Sequence, residues 1–186
     1  YHVIARGNRQ QPIFHGEEDY QEFLDSLGDN VSRYHFHLYA YVLMPNHFHL
    51  LLEQEAFPLS RLMQVLLTGY ARWHNRRYRQ IGHLFQGRYR ALLCAKESYL
   101  LELTRYIHLN PAMSSKVAWR APLSQYPYSS YAVWIQNADG SLVKAEDIKK
   151  FLPSYSPSSY EEFVESKISG GSSLGLEDMI LEKADV

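Results

Sequence analysis

The tripeptide His-Phe-His occurs twice in this sequence, at residues 35–37 and again at residues 47–49. Side chains alternate between the two faces of a β-strand, so the two histidines of each copy would share one face about 7 Å apart. That separation allows two imidazoles to bind one metal ion while the phenylalanine between them points into a core. The sequence has 9 histidines, so the alternative for each copy is a pair of ordinary core or surface histidines.

The residues around the two copies distinguish them. After the second copy, Phe48, Leu50 and Leu52 share one face, which would seat the strand firmly and hold His47 and His49 beside a turn. Around the first copy, alternation predicts a core face made of Phe36, Leu38, Ala40 and Val42. The opposite face would be made of His35, His37, Tyr39 and Tyr41. That opposite face suits base stacking as well as it suits a metal. The later pair is therefore the better candidate for metal ligands.

A phenol and an amide lie at helical spacing in the segment TRYIHLNP. Tyr106 and Asn110 are four residues apart, so they project from the same side of a helix. A phenol with a pKa near about 10 is a poor nucleophile unless a cation stabilises its charge or polarises the phosphate that it attacks. Two imidazoles and an amide oxygen would suit Mg²⁺ or Mn²⁺. The alternative for Tyr106 is a structural role, since the sequence has 15 tyrosines.

The formal net charge of -1 hides a strong segregation of charge along the chain. Residues 61–120 contain 11 Lys and Arg and 2 Asp and Glu, a net +9, whereas residues 1–60 (3 against 8) and 121–186 (5 against 10) each carry -5. Nine of the eleven central cations are arginines, whose planar guanidinium matches phosphate geometry. The segment predicts phosphate binding rather than a salt-bridged surface, because only Glu97 and Glu102 are available within it as partners.

The periodicity of apolar residues predicts seven elements in the first part of the chain, in the order β-α-β-β-α-β-α. The strands are expected at residues 1–8, 34–42, 46–53 and 84–95, and the helices at residues 17–34, 59–82 and 96–111. This order predicts an α+β fold, a mostly antiparallel sheet of the ferredoxin-like or RRM-like kind with helices packed on it. Pro111 is expected to end the last helix, and Gly87 to form a bulge in the fourth strand.

The chain is predicted to divide into a main domain at residues 1–135 and a C-terminal tail at residues 136–186. The tail contains two short helical patterns followed by SGGSSLG, a flexible linker by composition. No run approaches the eighteen apolar residues of a membrane span. A single cysteine, Cys94, favours a reducing cytoplasm.

Three motifs, LMPNHFHLLLE, HLFQGRYRALL and LTRYIHLNPA, resemble in order and separation those of the single-tyrosine HUH transposases (IS200-like transposases). The similarity is strongest to the branch of REP-associated tyrosine transposases and covers roughly residues 1–135, which would form the catalytic domain. It implies that His47 and His49 are metal ligands, Tyr106 the nucleophile and Asn110 the third ligand. Other HUH transposases use Gln, His or Asp as that third ligand, so Asn110 departs from the pattern.

The resemblance also implies an activity and its partners. With Mg²⁺ or Mn²⁺, the protein would nick single-stranded DNA beside a hairpin through a covalent 5′-phosphotyrosine, and would rejoin strands by the reverse attack. The DNA backbone is expected to follow Arg72, Arg76, Arg88 and Arg90, and exposed aromatic residues such as Tyr89 to stack on bases. The family includes homodimers in which the tyrosine helix serves the partner's active site, and monomers in which it does not.

Two other functions fit parts of the sequence. A catalytically inactive module of RRM-like fold would bind single-stranded DNA or RNA on the aromatic face around His37. A metal-dependent hydrolase of small phosphoesters would use His47 and His49 with water as the nucleophile, and would leave the central arginines unexplained.

Overall fold

A four-stranded antiparallel sheet forms the centre of the protein, with strand order β2-β3-β1-β4. The computed structural model describes residues 1–94, 97–114, 117, 119–136, 142–152 and 155–170. The strands are β1 (His2–Arg6), β2 (Phe36–Met44), β3 (His47–Gln54) and β4 (Arg90–Leu92). The helices are α1 (Glu17–Arg33), α2 (Leu59–Tyr78), α3 (Glu97–Met113), α4 (Tyr131–Gln136), α5 (Ala145–Phe151) and α6 (Pro157–Gly170). The predicted α+β fold and the order β-α-β-β-α-β-α are confirmed.

Alternation along the strands divides the sheet into two faces. One face packs against the amphipathic helices α1 and α2, and its buried residues include Val3, Ala5, Phe48, Leu50 and Leu52. The opposite face packs against α3 through a smaller apolar cluster, made of Tyr39, Ala40, Val42, Met44, Leu51, Leu103, Ile107 and Tyr126. The histidines of β3 lie on this second face, because they alternate with Phe48 and Leu50.

The predicted aromatic face of β2 is wrong, because a bulge interrupts the strand. The register against β3 shifts between Leu38 and Ala40, and a shift of one residue moves every later side chain to the other face. Tyr41 therefore joins the core under α1 and α2, while Tyr39 packs toward α3, and both are buried. His35 lies outside the strand with a φ of 52°. The four residues do not form a surface on which bases could stack.

Two further boundaries differ from the sequence predictions. The strand expected at residues 84–95 is reduced to β4 and one isolated bridge between Gly7 and Phe85, and Gly87 lies in the bend between them. The helix α3 was expected to end at Pro111, but it continues for two more residues and ends at Met113. Proline lacks the N–H that would bond to the carbonyl four residues earlier, so α3 loses one hydrogen bond at Pro111 and ends within the same turn.

The C-terminal helices pack onto the main domain. Helix α6 contacts α3 and α4, and α5 contacts β2. Ile148, Tyr160 and Val164 are buried in the same apolar cluster as the sheet. Residues 171–186, which include most of the predicted linker, lie outside the described residues, and the division at residue 135 stays a prediction. None of the helices in the described ranges is long and apolar enough to cross a membrane.

Candidate functional site

His47 and His49 lie side by side on the face of the sheet that α3 covers. Their rings are 5.1 Å apart between centroids. In the register between β1 and β3, Arg6 is opposite His47 and Ile4 is opposite His49. Because opposite residues of antiparallel strands point to the same face, Arg6 belongs to the same site.

Both histidines are oriented through their Nδ1 atoms. Nδ1 of His47 is 2.8 Å from Oδ1 of Asn46, and Nδ1 of His49 is 2.9 Å from Nε2 of His2. This arrangement is typical of metal-binding histidines, whose second nitrogen is held by a neighbouring polar group. A metal bound here would therefore be held through Nε2 of each histidine.

His2 and His49 are neutral near pH 7. Burial, and then the nearby His2 and His47, hold the pKa of His49 well below its usual value. Burial also lowers the pKa of His2 to about 3. A histidine binds a metal in its neutral form, so burial keeps these rings in the state that ligation requires.

Tyr106 faces this pair from α3. Its ring is 5.4 Å from that of His49 and 6.2 Å from that of His2, edge-on to both. Burial raises the pKa of the Tyr106 phenol, and this effect is opposed by a hydrogen bond from the Asn110 side chain and by the positive charge of Arg6. The Tyr106 phenol is therefore protonated near neutral pH, and Asn110 and Arg6 lie where they would stabilise its phenolate form.

Asn110 lies one helical turn after Tyr106, as the spacing predicted. Its Nδ2 donates a hydrogen bond of 2.9 Å to the main-chain carbonyl of Tyr106. The amide nitrogen is only a donor, so Oδ1 is the side-chain atom of Asn110 that could bind a cation. Within the described ranges, no three His, Cys, Asp or Glu side chains are grouped to hold a metal. The predicted donor set of two imidazoles and one amide oxygen would fit a hard or borderline divalent ion, and it stays a prediction.

The first His-Phe-His copy lies at the other end of the sheet. His37 pairs with Glu53 in the antiparallel register, whereas Met44, at the far end of β2, pairs with His47. The ring nitrogens of His37 are 3.5 Å from a carboxylate oxygen of Asp147 and 4.0 Å from one of Glu55. This copy does not contribute to the site at His47.

The residues predicted to bind DNA separate into two groups. Arg72 and Arg88 line a cavity of about 700 Å³ between α2 and the chain that follows it, and Arg88 and Tyr89 line an adjoining cavity. Arg76 is exposed one turn beyond Arg72 on α2. Arg90 instead lies opposite Ile4 in the register between β1 and β4, so it points to the face of the sheet that carries His49.

Sequence reasoning missed three residues of the site, namely His2, Arg6 and Asn46. The alternation of β1 carries a signal for two of them, since Val3 and Ala5 mark one face and leave His2 and Arg6 on the other. The sequence holds no signal for the pairing of β1 with β3 that brings them to the histidines.

Comparisons with known proteins assign the family. The sequence matches the family model of IS200-like transposases over residues 1–110, more than half of the chain. Among solved structures, the fold is similar to that of a REP-associated tyrosine transposase bound to a REP hairpin, with a TM-score of 0.57 and 16% identity over 77% of this chain and 81% of that one. A search of curated proteins gave no match. The resemblance seen in the three sequence motifs is confirmed at the level of the family, and the protein belongs to the IS200-like transposases.

Proposed function

We propose that this transposase is a metal-dependent endonuclease and strand transferase that nicks single-stranded DNA near a hairpin. The observation that carries the proposal is the position of Tyr106. Its ring centroid is 5.4 Å from that of His49, and the ring centroids of His49 and His47 are 5.1 Å apart. A buried phenol beside two imidazoles whose Nδ1 atoms are both engaged is the arrangement expected of a tyrosine nucleophile next to a metal site.

The residues of the chain have separate roles in this reaction. The phenol oxygen of Tyr106 attacks phosphorus, the bond from phosphorus to the 3′-oxygen breaks, and the strand is left as a 5′-phosphotyrosine and a free 3′-hydroxyl. The phenol proton is lost to water, and the departing 3′-oxygen takes one up. Arg6 and Asn110 stabilise the phenolate as it forms, because both already favour the anion. The phosphotyrosine retains the energy of the phosphodiester, so the 3′-hydroxyl of a strand can reverse the attack.

His47, His49 and Asn110 would hold the metal. When bound, Mg²⁺ or Mn²⁺ would polarise the scissile phosphate and offset the charge of the transition state. His2 and Asn46 position the two imidazoles from behind, through the Nδ1 contacts.

A DNA hairpin is proposed as the substrate on two grounds. The solved structure of similar fold is bound to a REP hairpin. In this chain, Arg72, Arg76 and Arg88 are exposed along α2 and the segment after it. Among the described residues, no carboxylate forms an ion pair with Arg72 or Arg76. Arg72 and Arg76 are therefore available for DNA phosphates.

The tyrosine is proposed to act within its own chain. Helix α3 packs against β2 and β3 of the same chain, and α6 packs behind it. A homodimer of this protein would then hold two complete active sites, each with its own Tyr106.

The test is a cleavage assay on single-stranded DNA hairpins with Mg²⁺ or Mn²⁺, resolved on a denaturing gel for a protein-linked strand. Wild type is expected to form the adduct, and Tyr106→Phe and His47→Ala to form none. Tyr99→Phe is the matched control, because Tyr99 lies on the same helix seven residues earlier and should leave the adduct intact. DNA binding without an adduct for any hairpin would instead assign a binding protein that has lost catalysis.

A further inference from the structure

The turn that joins β2 to β3 is enclosed by the chain between β1 and α1. The carbonyl of Pro45 accepts a hydrogen bond of 2.7 Å from the N–H of Ile13, and that of Asn46 accepts one of 2.8 Å from the N–H of Gly7. Asn46 is also buried. These contacts fix the main chain of the turn directly before His47, the first of the two proposed metal ligands.

The side-chain amide of Asn46 has a partner at each of its two polar atoms. Its Nδ2 donates a hydrogen bond of 3.1 Å to the main-chain carbonyl of Gln10, and its Oδ1 lies 2.8 Å from Nδ1 of His47. A carbonyl oxygen is only an acceptor, so the contact with Gln10 requires the NH₂ group of the amide. The carbonyl of Gln10 therefore determines that Oδ1 is the atom that faces His47.

The orientation of this amide decides which nitrogen of His47 carries a proton. An amide oxygen cannot donate, so a hydrogen bond between Oδ1 of Asn46 and Nδ1 of His47 requires a proton on Nδ1. The form of histidine that binds a metal is the neutral ring, which carries one proton. In that form a proton on Nδ1 leaves the lone pair on Nε2, the nitrogen that would bind the metal.

A backbone conformation that L-amino acids rarely adopt presents the carbonyl of Gln10. Arg9 and Gln10 are consecutive residues with φ of 52° and 60°. A residue with a Cβ is strained in this left-handed region, and it persists there only where the surrounding structure holds it. The N–H of Gln10 donates a hydrogen bond of 3.0 Å to the carbonyl of Gly7. The N–H of Asn8 donates one of 2.8 Å to the carbonyl of Leu84. Strain that is held in place beside a proposed active site indicates that the conformation has a use there.

We propose that the left-handed turn at Arg9 and Gln10 is a positioning element for the metal site, which sets the tautomer of His47 through the amide of Asn46. The inference rests on the proposed function, since a ring protonated on Nδ1 presents Nε2 to the proposed metal. The turn acts on the metal only through Asn46 and His47, so its residues position a ligand and are not catalytic.

The second proposed ligand provides an internal comparison, because a different residue orients it. Nδ1 of His49 lies 2.9 Å from Nε2 of His2 on β1, and the turn at Gln10 takes no part in that contact. A change in the turn should therefore alter the tautomer of His47 and leave that of His49 unchanged.

The experiment is an NMR measurement of the imidazole tautomers in the metal-free protein. Long-range proton–nitrogen correlation spectra distinguish a protonated ring nitrogen from an unprotonated one, at a pH at which the ring of His47 is neutral. The signals of His47 are assigned from their absence in His47→Gln. Wild type is expected to show His47 protonated on Nδ1. Asn46→Leu keeps the size of the side chain and removes the acceptor, so it should give a mixture of the two tautomers.

Two substitutions at Gln10 separate the conformation of the turn from the loss of the side chain. A β-branched residue is strained at positive φ, so Gln10→Val should open the turn and give the mixture of tautomers. Glycine adopts positive φ freely, so Gln10→Gly should keep the wild-type tautomer. Arg79→Val is the matched control, because Arg79 has a φ of 51° at the end of α2. It introduces the same strain at another place and should leave His47 unchanged.

The affinity for Mn²⁺, measured by electron paramagnetic resonance, gives a second readout. Asn46→Leu and Gln10→Val are expected to weaken Mn²⁺ binding by about 10-fold, because the support of one ligand is lost. Gln10→Gly and Arg79→Val should leave the affinity unchanged.

A ring of His47 protonated on Nε2 in wild type would overturn the proposal, as would equal effects of Gln10→Val and Gln10→Gly on the tautomer. Failure of the turn is distinguishable from failure of the proposed function, because the tautomer is measured without metal or DNA. An adduct formed by wild type, together with a tautomer that does not respond to Asn46→Leu, would reject the positioning role alone. A tautomer that responds as expected, without any adduct, would reject the nuclease alone.

Discussion

Nε2 of His2 lies 2.9 Å from Nδ1 of His49, and the two rings are stacked at 5.1 Å. His2 is on β1 and His49 is on β3, so the contact exists only because the two strands pair. It fixes the plane of the His49 ring and the nitrogen that it presents to Tyr106. His2 is thus a positioning residue for the proposed metal site.

Replacing His2 by Phe keeps a ring of similar size and removes the contact to Nδ1 of His49. We expect the affinity for Mn²⁺ to fall between about 10-fold and 100-fold, because histidine ligands lose basicity and orientation without such a partner. Titration of Mn²⁺ monitored by electron paramagnetic resonance measures this directly, without any need for activity. The exposed His83 provides the control variant His83→Phe, and equal affinities for the two variants would refute the role of His2.

The outcome for these histidines illustrates what the sequence can and cannot predict. Local periodicity located β3 and its two faces, because Phe48 and Leu50 alternate with His47 and His49. It misplaced Tyr41, because a bulge of one residue in β2 leaves no mark on composition. The partners of the site, such as His2, depend on strand pairing between distant segments, which no local pattern encodes.

The tail shows the same limit. Its helical patterns predicted short helices. The packing of these helices on the main domain depends on individual contacts between residues that are distant in sequence, such as the one between His108 and Tyr160. Its charge gave no indication of these contacts, since Tyr160 and Val164 join the core through apolar surface.

His108 connects α3, the helix that carries Tyr106, to the C-terminal part of the chain. Its Nδ1 is 2.7 Å from the hydroxyl of Tyr160, and its Nε2 is 2.8 Å from the hydroxyl of Ser130, with all three residues buried. We expect His108→Phe to lower the free energy of unfolding by about 2–3 kcal/mol, because two buried hydroxyls each lose one hydrogen bond, although that of Ser130 keeps its contacts with Tyr41. Urea denaturation followed by circular dichroism measures the change.

Two tyrosines of this region provide a graded comparison for the same experiment. Tyr160→Phe removes one of the hydrogen bonds and should cost about 1 kcal/mol. The buried hydroxyl of Tyr155 has no hydrogen-bond partner in the described part of the chain, so Tyr155→Phe should be neutral or slightly stabilising. A larger loss of stability for Tyr155→Phe than for Tyr160→Phe would contradict the conclusion that the hydrogen bond between Tyr160 and His108 stabilises the packing of α6 on α3.

Buried neutral histidines predict that the protein is destabilised by mild acid. Burial lowers the pKa of His108 from 6.5 to about 3. Between these values the unfolded chain binds the proton and the folded chain does not, so stability is complete above the unfolded pKa and is lost as the pH falls from about 6.5 toward 3. At pH 5, the loss from His108 is about 2 kcal/mol relative to neutral pH. Urea denaturation of wild type and His108→Gln at both pH values measures it, and equal pH dependence in the two proteins would refute the assignment.

Gly7 follows Arg6 at the end of β1, and its position admits no side chain. A Cβ there would lie 2.2 Å from the carbonyl oxygen of Gln11 and 2.9 Å from a methyl group of Ile13. Gly7→Ala should therefore lower the free energy of unfolding by about 1–3 kcal/mol, since backbone must move to relieve the overlap. Thermal and urea denaturation measure the change.

The same substitution should also affect the proposed active site. The N–H of Gly7 donates a hydrogen bond of 2.8 Å to the carbonyl of Asn46, whose side chain orients His47. We expect Gly7→Ala to slow adduct formation at fixed Mn²⁺. Gly69→Ala is the matched control, because a Cβ at that position in α2 meets nothing within 4 Å and should stabilise the helix by about 1 kcal/mol. If Gly7→Ala destabilises the fold while adduct formation keeps its wild-type rate, the turn at Gly7 supports the sheet without positioning His47.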